Sequence, residues 1–328
     1  KAVYAYSTMN RLGQGDGANN GFNFVYYVPP IYPVFRHNPA DGSLYKDEYL
    51  GGNQYDYGRE LKRPFSLGIN PAGALQLDQN LLQQHNLALS NFLKFEFIKD
   101  LVITITNGYN FNFQQLSQIL NKFYGDAQGV GYVYKTDQMF TDFTSRQQIA
   151  YKKTVSEIHN LDAMFGHDFR TLELKQLSAN RSGMVKPYDF ELDNAIKLRD
   201  ASSTASDYTS ESYMGEVRYN YDEKYFATAN GSVYGSSNFA PGNQYGLFWS
   251  VGAAWNIHRE LFMASAKKWI SSLKVRANFG ASGNDQIGSY RYTDMYSIIN
   301  SDDQPAVNFV RKGNPNLTWE TAYKANLG

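Results

Sequence analysis

The chain contains no cysteine in its 328 residues. That excludes a disulfide scaffold and any thiolate metal site, and it suits export through an oxidising compartment. No stretch approaches the roughly 18–20 consecutive apolar residues that a membrane-spanning helix needs. Neither sign of charge predominates, since 31 Lys plus Arg balance 31 Asp plus Glu. With no basic field, nucleic acid is not an expected partner. The patterns that carry chemistry are missing as well. His37, His85, His159, His167 and His258 are scattered, without the i, i+4 spacing of a zinc helix. Gly13-Gln14-Gly15-Asp16-Gly17 has no GK[ST] behind it and reads as a flexible loop. Ser232 and Ser282 lie near glycines, but neither sits in a G-x-S-x-G elbow. Asp302-Asp303 reads as a solvated acidic turn rather than a calcium loop. No catalytic residue, metal site or cofactor is expected.

What the chain does have is aromatic side chains and glycine, with 26 Tyr, 21 Phe and 27 Gly, arranged in alternation. Tyr213, Gly215, Val217, Tyr219 and Tyr221 share one parity, and Met214, Glu216, Arg218 and Asn220 the other. After Asp222-Glu223-Lys224 the pattern resumes, with Tyr225, Ala227, Ala229, Gly231 and Val233 set against Phe226, Thr228, Asn230, Ser232 and Tyr234. Successive strand side chains point to opposite faces, so this is an amphipathic hairpin. Leu87, Leu89, Leu93, Phe95 and Phe97 form another apolar row; beyond Lys99-Asp100, so do Leu101, Ile103, Ile105, Tyr109, Phe111 and Phe113. Asn107 breaks that row with no reason visible in the sequence. Weaker runs lie near 146–155 and 160–169, joined around Ser156-Glu157. Tyr245, Leu247, Trp249, Val251, Ala253, Trp255 and Ile257 make a long face, and Leu273, Val275, Ala277, Phe279 and Ala281 another. With 1–8 and the closing segment, roughly ten strands are expected, each near the 9–11 residues that barrel strands need.

Connections alternate in length. Short turns fall at 99–100, 156–157 and 222–224, and long irregular segments near 9–86, 114–145, 170–211, 236–244 and 283–318. Ser202–Ser212 reads as a mobile Ser/Thr-rich stretch, and His258–Ser271 as a short amphipathic helix at the membrane interface. Short turns on one side and long loops on the other, with alternating faces and aromatic strand ends, are how a transmembrane β-barrel is written. The fold class expected is all-β: an antiparallel transmembrane β-barrel segment with short periplasmic turns and long extracellular loops. A negative mean hydropathy does not oppose this, because half of each strand faces a polar lumen. A soluble, secreted β-rich carbohydrate-binding protein is the competing architecture. The chain opens on Lys1-Ala2-Val3-Tyr4 and stops on Tyr323-Lys324-Ala325-Asn326-Leu327-Gly328, both mid-strand, so it reads as part of a longer protein.

Several stretches go beyond pattern. Leu273-Lys274-Val275-Arg276-Ala277-Asn278-Phe279-Gly280-Ala281-Ser282-Gly283-Asn284 resembles the "LKLRASYGxTGN" strand of SusC/RagA-like TonB-dependent transporters. Gly313-Asn314-Pro315-Asn316-Leu317-Thr318-Trp319-Glu320-Thr321 is similar to that family's "GNPNLKWET". Tyr219–Tyr225 followed by Gly235-Ser236-Ser237-Asn238-Phe239 resembles its "YxYxDKY…RDGSSxF" hairpin, although Val233-Tyr234 stand where the family usually has Arg-Asp. Arg63-Pro64-Phe65, Asn70-Pro71 and Ala74-Leu75-Gln76-Leu77 resemble the "RNPxAxLxL" region.

The resemblance implies that residues 1–328 are part of one TonB-dependent receptor barrel domain, with the plug, the N-terminal domain and the closing C-terminal strands outside them. It implies active import of oligosaccharides or peptides across the outer membrane of a Gram-negative bacterium. The partners implied are a SusD-like surface lipoprotein, the TonB complex acting through the N-terminal part, and outer-membrane lipid. A siderophore receptor or a porin is the alternative role.

Charged residues on strand faces, namely Glu216, Arg218, Lys274 and Arg276, are expected in the lumen, because Arg or Lys facing lipid costs about 2–4 kcal/mol near the midplane. By the same logic Ala229 should meet lipid and Thr228 the lumen. Trp249, Trp255, Trp269 and Trp319 suit membrane interfaces. Loop aromatics can stack on sugar rings, so Tyr55, Tyr57, Phe239, Tyr290, Tyr292 and Tyr296 are the substrate-binding candidates, with loop packing the commoner role for any one of them.

Overall fold

In the computed structural model the described residues are 1–11, 21–48, 51–60, 62–123, 127–302 and 304–328. The glycine-rich stretch 13–17 and Asp303 lie outside them. Twelve strands are described: β1 (Ala2–Asn10), β2 (Gln79–Ile98), β3 (Leu101–Leu120), β4 (Tyr132–Val155), β5 (His159–Met184), β6 (Ala195–Tyr221), β7 (Tyr225–Ser236), β8 (Tyr245–Trp255), β9 (Val275–Asn284), β10 (Met295–Ser301), β11 (Gln304–Arg311) and β12 (Glu320–Leu327). Ten of them form one antiparallel sheet in the order β1 to β9, then β12. β10 and β11 make a separate hairpin inside the loop between β9 and β12.

The expected hairpin registers hold. Tyr221 pairs with Tyr225, Val155 with His159 and Ile98 with Leu101. Ser156 and Glu157, and likewise Asp222 and Glu223, take positive φ in succession. Primed hairpin turns use this geometry because it matches the right-handed twist of the flanking strands.

The two faces are inverted relative to a soluble sheet. Along β8 every Tyr, Leu, Trp and Val of one parity is exposed, whereas Gly246, Phe248, Ser250 and Gly252 between them are half-buried. Leu247 is 68% exposed and Val251 48%. Register carries this outward face to Ala229 on β7, Val217 on β6 and Ala163 on β5. Thr228, Arg218, Glu216, Lys274 and Arg276 fall on the inward face, as the sequence predicts. An apolar face turned outward and a charged face turned inward is the arrangement of a wall that meets hydrocarbon outside and water inside.

Three expectations are corrected. The strands run far past the lipid-facing alternation, so much of the segments near 114–145 and 170–211 is strand, over 114–120, 132–145, 170–184 and 195–211. Ser202–Ser212 is not a mobile stretch. It is the middle of β6, with Ser202 paired to Ser178 and Ser212 to Asp168. The connection after β8 is not one α-helix but two 3-10 segments, Ile257–Arg259 and Leu261–Lys268, which leave Leu261 and Trp269 about nine-tenths exposed.

As a single layer the wall has little core of its own. One buried cluster, Ile119, Val133, Met184 and Ala195, closes the far ends of β3–β6 beneath Phe190 and Leu192. A second compact unit is the connection before β2. There α1 (Pro71–Leu77) starts on Asn70, whose side chain accepts from the Gly73 N–H at 3.2 Å, with Pro71 in the first turn where its missing N–H costs nothing.

Candidate functional site

Three of the four stretches that carry the family resemblance meet at the loop ends of β6–β9 and β12. Beyond β7, Ser237 exchanges two hydrogen bonds with Thr209: its N–H donates to the Thr209 carbonyl and its hydroxyl accepts from the Thr209 N–H, both at 2.9 Å. Asn238 donates through Nδ2 to the Asp285 carbonyl at 2.9 Å. The Asp285 carboxylate accepts from the Tyr208 hydroxyl at 2.7 Å. Trp319 crosses this junction. Its ring meets Tyr234 at 5.5 Å, Phe239 at 4.9 Å and Phe248 at 5.2 Å between centroids, and its Nε1 donates to the Gln244 carbonyl at 3.0 Å. Trp319 is therefore not a membrane anchor, as its sequence context suggested; it is an inward-side bolt between two loops. Trp249 and Trp255 do lie on the outward face.

The Gly-Asn-Pro-Asn turn hangs from the same junction. Gly313 N–H donates to Asp294 Oδ1 at 2.7 Å, Asn314 N–H to the Arg291 carbonyl at 3.0 Å, and Asn243 Nδ2 to the Pro315 carbonyl at 3.1 Å. Gly235 is needed for space. An added Cβ would come within 2.6 Å of the Tyr245 ring.

The fourth signature builds the unit before β2. Arg63 is 2% exposed and spends its guanidinium on carbonyls, those of Phe65 at 2.9 Å and of Ser66 and Ile69 at 2.6 Å. Burial lowers its pKa, with the charge of Asp56 opposing. Asn70 Nδ2 donates to the carbonyls of Val34 and Asp56 at 2.9 and 2.8 Å. One arginine and one asparagine thus tie Val34, Asp56 and residues 65–69 to the start of the helix that precedes β2.

Below the junction, the inward wall is lined by paired charges. Arg146 grips Asp168 through Nε and Nη2 at 2.7 and 2.6 Å, and Arg170 grips Asp142 through the same two atoms at 3.0 Å each. Lys152 pairs with Asp162 at 3.2 Å and Arg218 with Glu216. Lys274 lies 4.8 Å from the centre of the Phe226 ring. A recess of about 420 Å³ opens among Arg146, Asp168, Arg170, Ser210, Ser212 and Tyr234. Its polar groups offer hydrogen bonds with no uncompensated charge. Asp142, Arg146, Asp168 and Arg170 were not singled out from the sequence. Their even parity, shared with Glu216 and Arg218 across the register, was the signal available.

The six aromatic candidates do not form one site. Tyr55 and Tyr57 line a recess of about 300 Å³ in the unit before β2, where Tyr55 packs 5.2 Å from Phe35 and Tyr57 is buried. Phe239 is fully buried at the junction, so its ring face is occupied by Trp319 rather than free for a sugar. Tyr290 donates to Asp207 at 2.6 Å, a bond that raises its pKa. Tyr292 is half-buried in the same loop, and Tyr296 is exposed on β10 against Phe309. Among the described residues no group of His, Asp and Glu is placed to hold a metal ion.

An antiparallel wall with an apolar outward face and a charged inward face is the arrangement of a segment of a membrane β-barrel. No family model matches the chain. It is 27% identical over 332 residues to "TonB-dependent receptor P3" of Formosa agariphila, an alignment that takes in 98% of this chain and 31% of that protein. To "TonB-dependent receptor SusC" of Bacteroides thetaiotaomicron it is 24% identical over 272 residues, 79% of this chain and 26% of that one. Among solved structures, the RagAB peptide importer in its 'open-open' state superposes with a TM-score of 0.76 at 20% identity, covering 100% of this chain and 35% of that one. The chain is thus similar along nearly its whole length to SusC/RagA-like TonB-dependent receptors, as its motifs indicate, and it spans under a third of the length of these curated relatives.

Proposed function

We propose that this chain supplies wall strands and loops to the barrel of a TonB-dependent importer in the outer membrane of a Gram-negative bacterium. The full barrel domain would include a plug and further strands. Among the described strands β1 and β12 form the edges of the sheet, and strand edges in lipid need partners. The observation that carries the reading is the inversion of faces: exposed Leu247, Trp249 and Val251 outside, ion-paired Arg146, Asp168, Arg170 and Asp142 inside. A soluble carbohydrate-binding sheet has no reason to expose the first set.

The cargo is an oligosaccharide or a peptide, and a SusD-like surface lipoprotein is the partner at the loop ends, with the TonB complex supplying energy. An inward wall of neutralised pairs and hydroxyls suits such hydrogen-bonding solutes. Its loop ends, cross-tied through Trp319, Asn238 and Asp285, give a lid a firm rim.

Purification of the full-length protein from outer membranes in mild detergent, followed by mass spectrometry, tests this reading. Recovery of a SusD-like lipoprotein with the barrel is the expected result. A barrel recovered alone would favour a solitary siderophore receptor or porin, and a protein left in the aqueous fraction would overturn the barrel itself.

A further inference from the structure

Polar residues interrupt the outward apolar face along one line. Asn91, Asn107 and Ser145 are register partners on β2, β3 and β4. Asn107 donates to Asn91 at 3.2 Å and accepts from the Ser145 hydroxyl at 2.7 Å, which accounts for its place in an apolar row. The line continues through Gln147, whose Nε2 donates to Ser145 at 2.5 Å, and His167, which sits 2.6 Å from Gln147 Oε1 and 2.9 Å from Glu211 Oε1. Both Glu211 oxygens are engaged, one by the Tyr213 hydroxyl at 2.8 Å and the other by that of Tyr245 at 3.0 Å.

On β3 the outward row stays apolar past this line, through Tyr109, Phe111 and Phe113, but on β5 and β6 the line marks a change. On its turn side the outward residues of β5 and β6 are Phe165, Ala163, Leu161, Val217 and Tyr219; on its far side they are Thr171, Glu173, Lys175, Thr209 and Asp207. An apolar groove of about 400 Å³ lies on the turn side of His167, Gln147 and Tyr213, walled by Ile149, Tyr151, Phe165 and Val217. Its floor is Gly215 and Gly231, where an added Cβ would meet nothing nearer than 4.0 Å.

We infer that the groove and the polar cluster together seat one glycolipid of the outer leaflet, with an acyl chain in the groove and a hydroxyl-bearing headgroup on Gln147, Glu211, Tyr213 and Tyr245. The inference rests on the membrane reading proposed above. A chain seat directly beneath a hydrogen-bonding cluster matches an amphiphile. The cluster holds no lysine or arginine, and its carboxylate opposes a phosphate. Sugar hydroxyls find acceptors in the carboxylate and the amide, and partners in both tyrosines.

The test is native mass spectrometry of the full-length protein offered equal amounts of glucosyl-diacylglycerol and phosphatidylglycerol with the same acyl chains. One glucosyl lipid per barrel, retained several-fold over phosphatidylglycerol, is expected. Gly215→Leu and Ala229→Leu, which fill the groove, should lose it, and Tyr245→Phe should keep lipid while narrowing the preference. Equal retention of phosphatidylglycerol, or undiminished retention in both filled variants, overturns the inference. So does a dimer that the filled variants split with no change in bound lipid, since that places a second copy in the groove. Folding is followed separately by the migration shift of the barrel on heating. A wild-type protein that folds in bilayers but retains no lipid sinks this inference alone, whereas one that never enters a bilayer sinks the membrane reading.

Discussion

The indole of Trp319 covers the fully buried ring of Phe239, with 4.9 Å between their centroids. One residue follows β7 and the other precedes β12, so this contact fixes two loops that the sheet itself leaves apart. Phe239→Ala should cost about 3–5 kcal/mol, as for a core phenylalanine. Limited proteolysis should then cut the loops at 236–244 and 312–319 while the strands stay intact, whereas Trp319→Phe, which keeps a ring, should leave both protected.

The Asp142–Arg170 grip joins a nearly buried carboxylate to a half-exposed guanidinium. Asp142→Ala should destabilise by about 1–3 kcal/mol, less than a fully buried pair would lose because solvent screens Arg170. Adding Arg170→Ala should cost little more. A double-mutant cycle read by urea unfolding in detergent checks this, and simple additivity would deny the coupling.

Ala229 and Thr228 are neighbours in sequence on opposite faces. Ala229→Arg puts a charge on the outward side at a cost of about 2–4 kcal/mol and should block assembly of the full-length barrel. Thr228→Arg should assemble far better. Surface labelling of cells reads both, and equal outcomes would contradict the assigned faces.

Asn70→Ala removes the cap of α1 and the donor to two carbonyls, for an expected loss of about 1–3 kcal/mol confined to the unit before β2. Hydrogen exchange should rise across 34–77 and stay unchanged in β4–β6. A uniform rise would mean that this unit is not independent.

Glu260 accepts from the Tyr225 hydroxyl at 2.6 Å and from Trp255 Nε1 at 3.0 Å, and these bonds, the Tyr225 one foremost, lower its pKa below the usual carboxylate value of 4.5. A depressed folded-state pKa contributes stability above the unfolded value, lost as pH falls through the folded one. The clasp should therefore hold at neutral pH and open only in acid, below pH 4.5. Trp255 emission should titrate there, and Glu260→Gln should abolish the step.

Much of the wall was legible wherever one face of a strand meets an apolar medium and the other a polar one. The alternations at 213–235, 245–255 and 275–281 gave strands, faces and turns because there the environment changes at every residue. Past Phe113 the legibility fails. Gln114, Gln115, Ser117 and Gln118 are polar on both faces of β3, as are Ser202, Ser203, Thr204 and Ser206 on β6. Strands wetted on both sides need no alternation and are held by cross-strand backbone pairing, so they read as loop. Among the aromatic candidates, the burial of Phe239 against Trp319 could not be read from the sequence: a ring suited to stacking on a sugar is equally suited to stacking on another ring, and composition cannot tell Phe239 from Tyr296.

Residue order by itself therefore determined the parity of the strands, the short turns and the kinship of the motifs, all local properties of period two or of contiguous residues. Only the tertiary structure decided which distant residues meet. Trp319 with Phe239, Asn238 with Asp285, and the outward line from Asn107 to Tyr245 depend on a register that carries each strand's few interruptions onto its neighbour's, and no single strand records that.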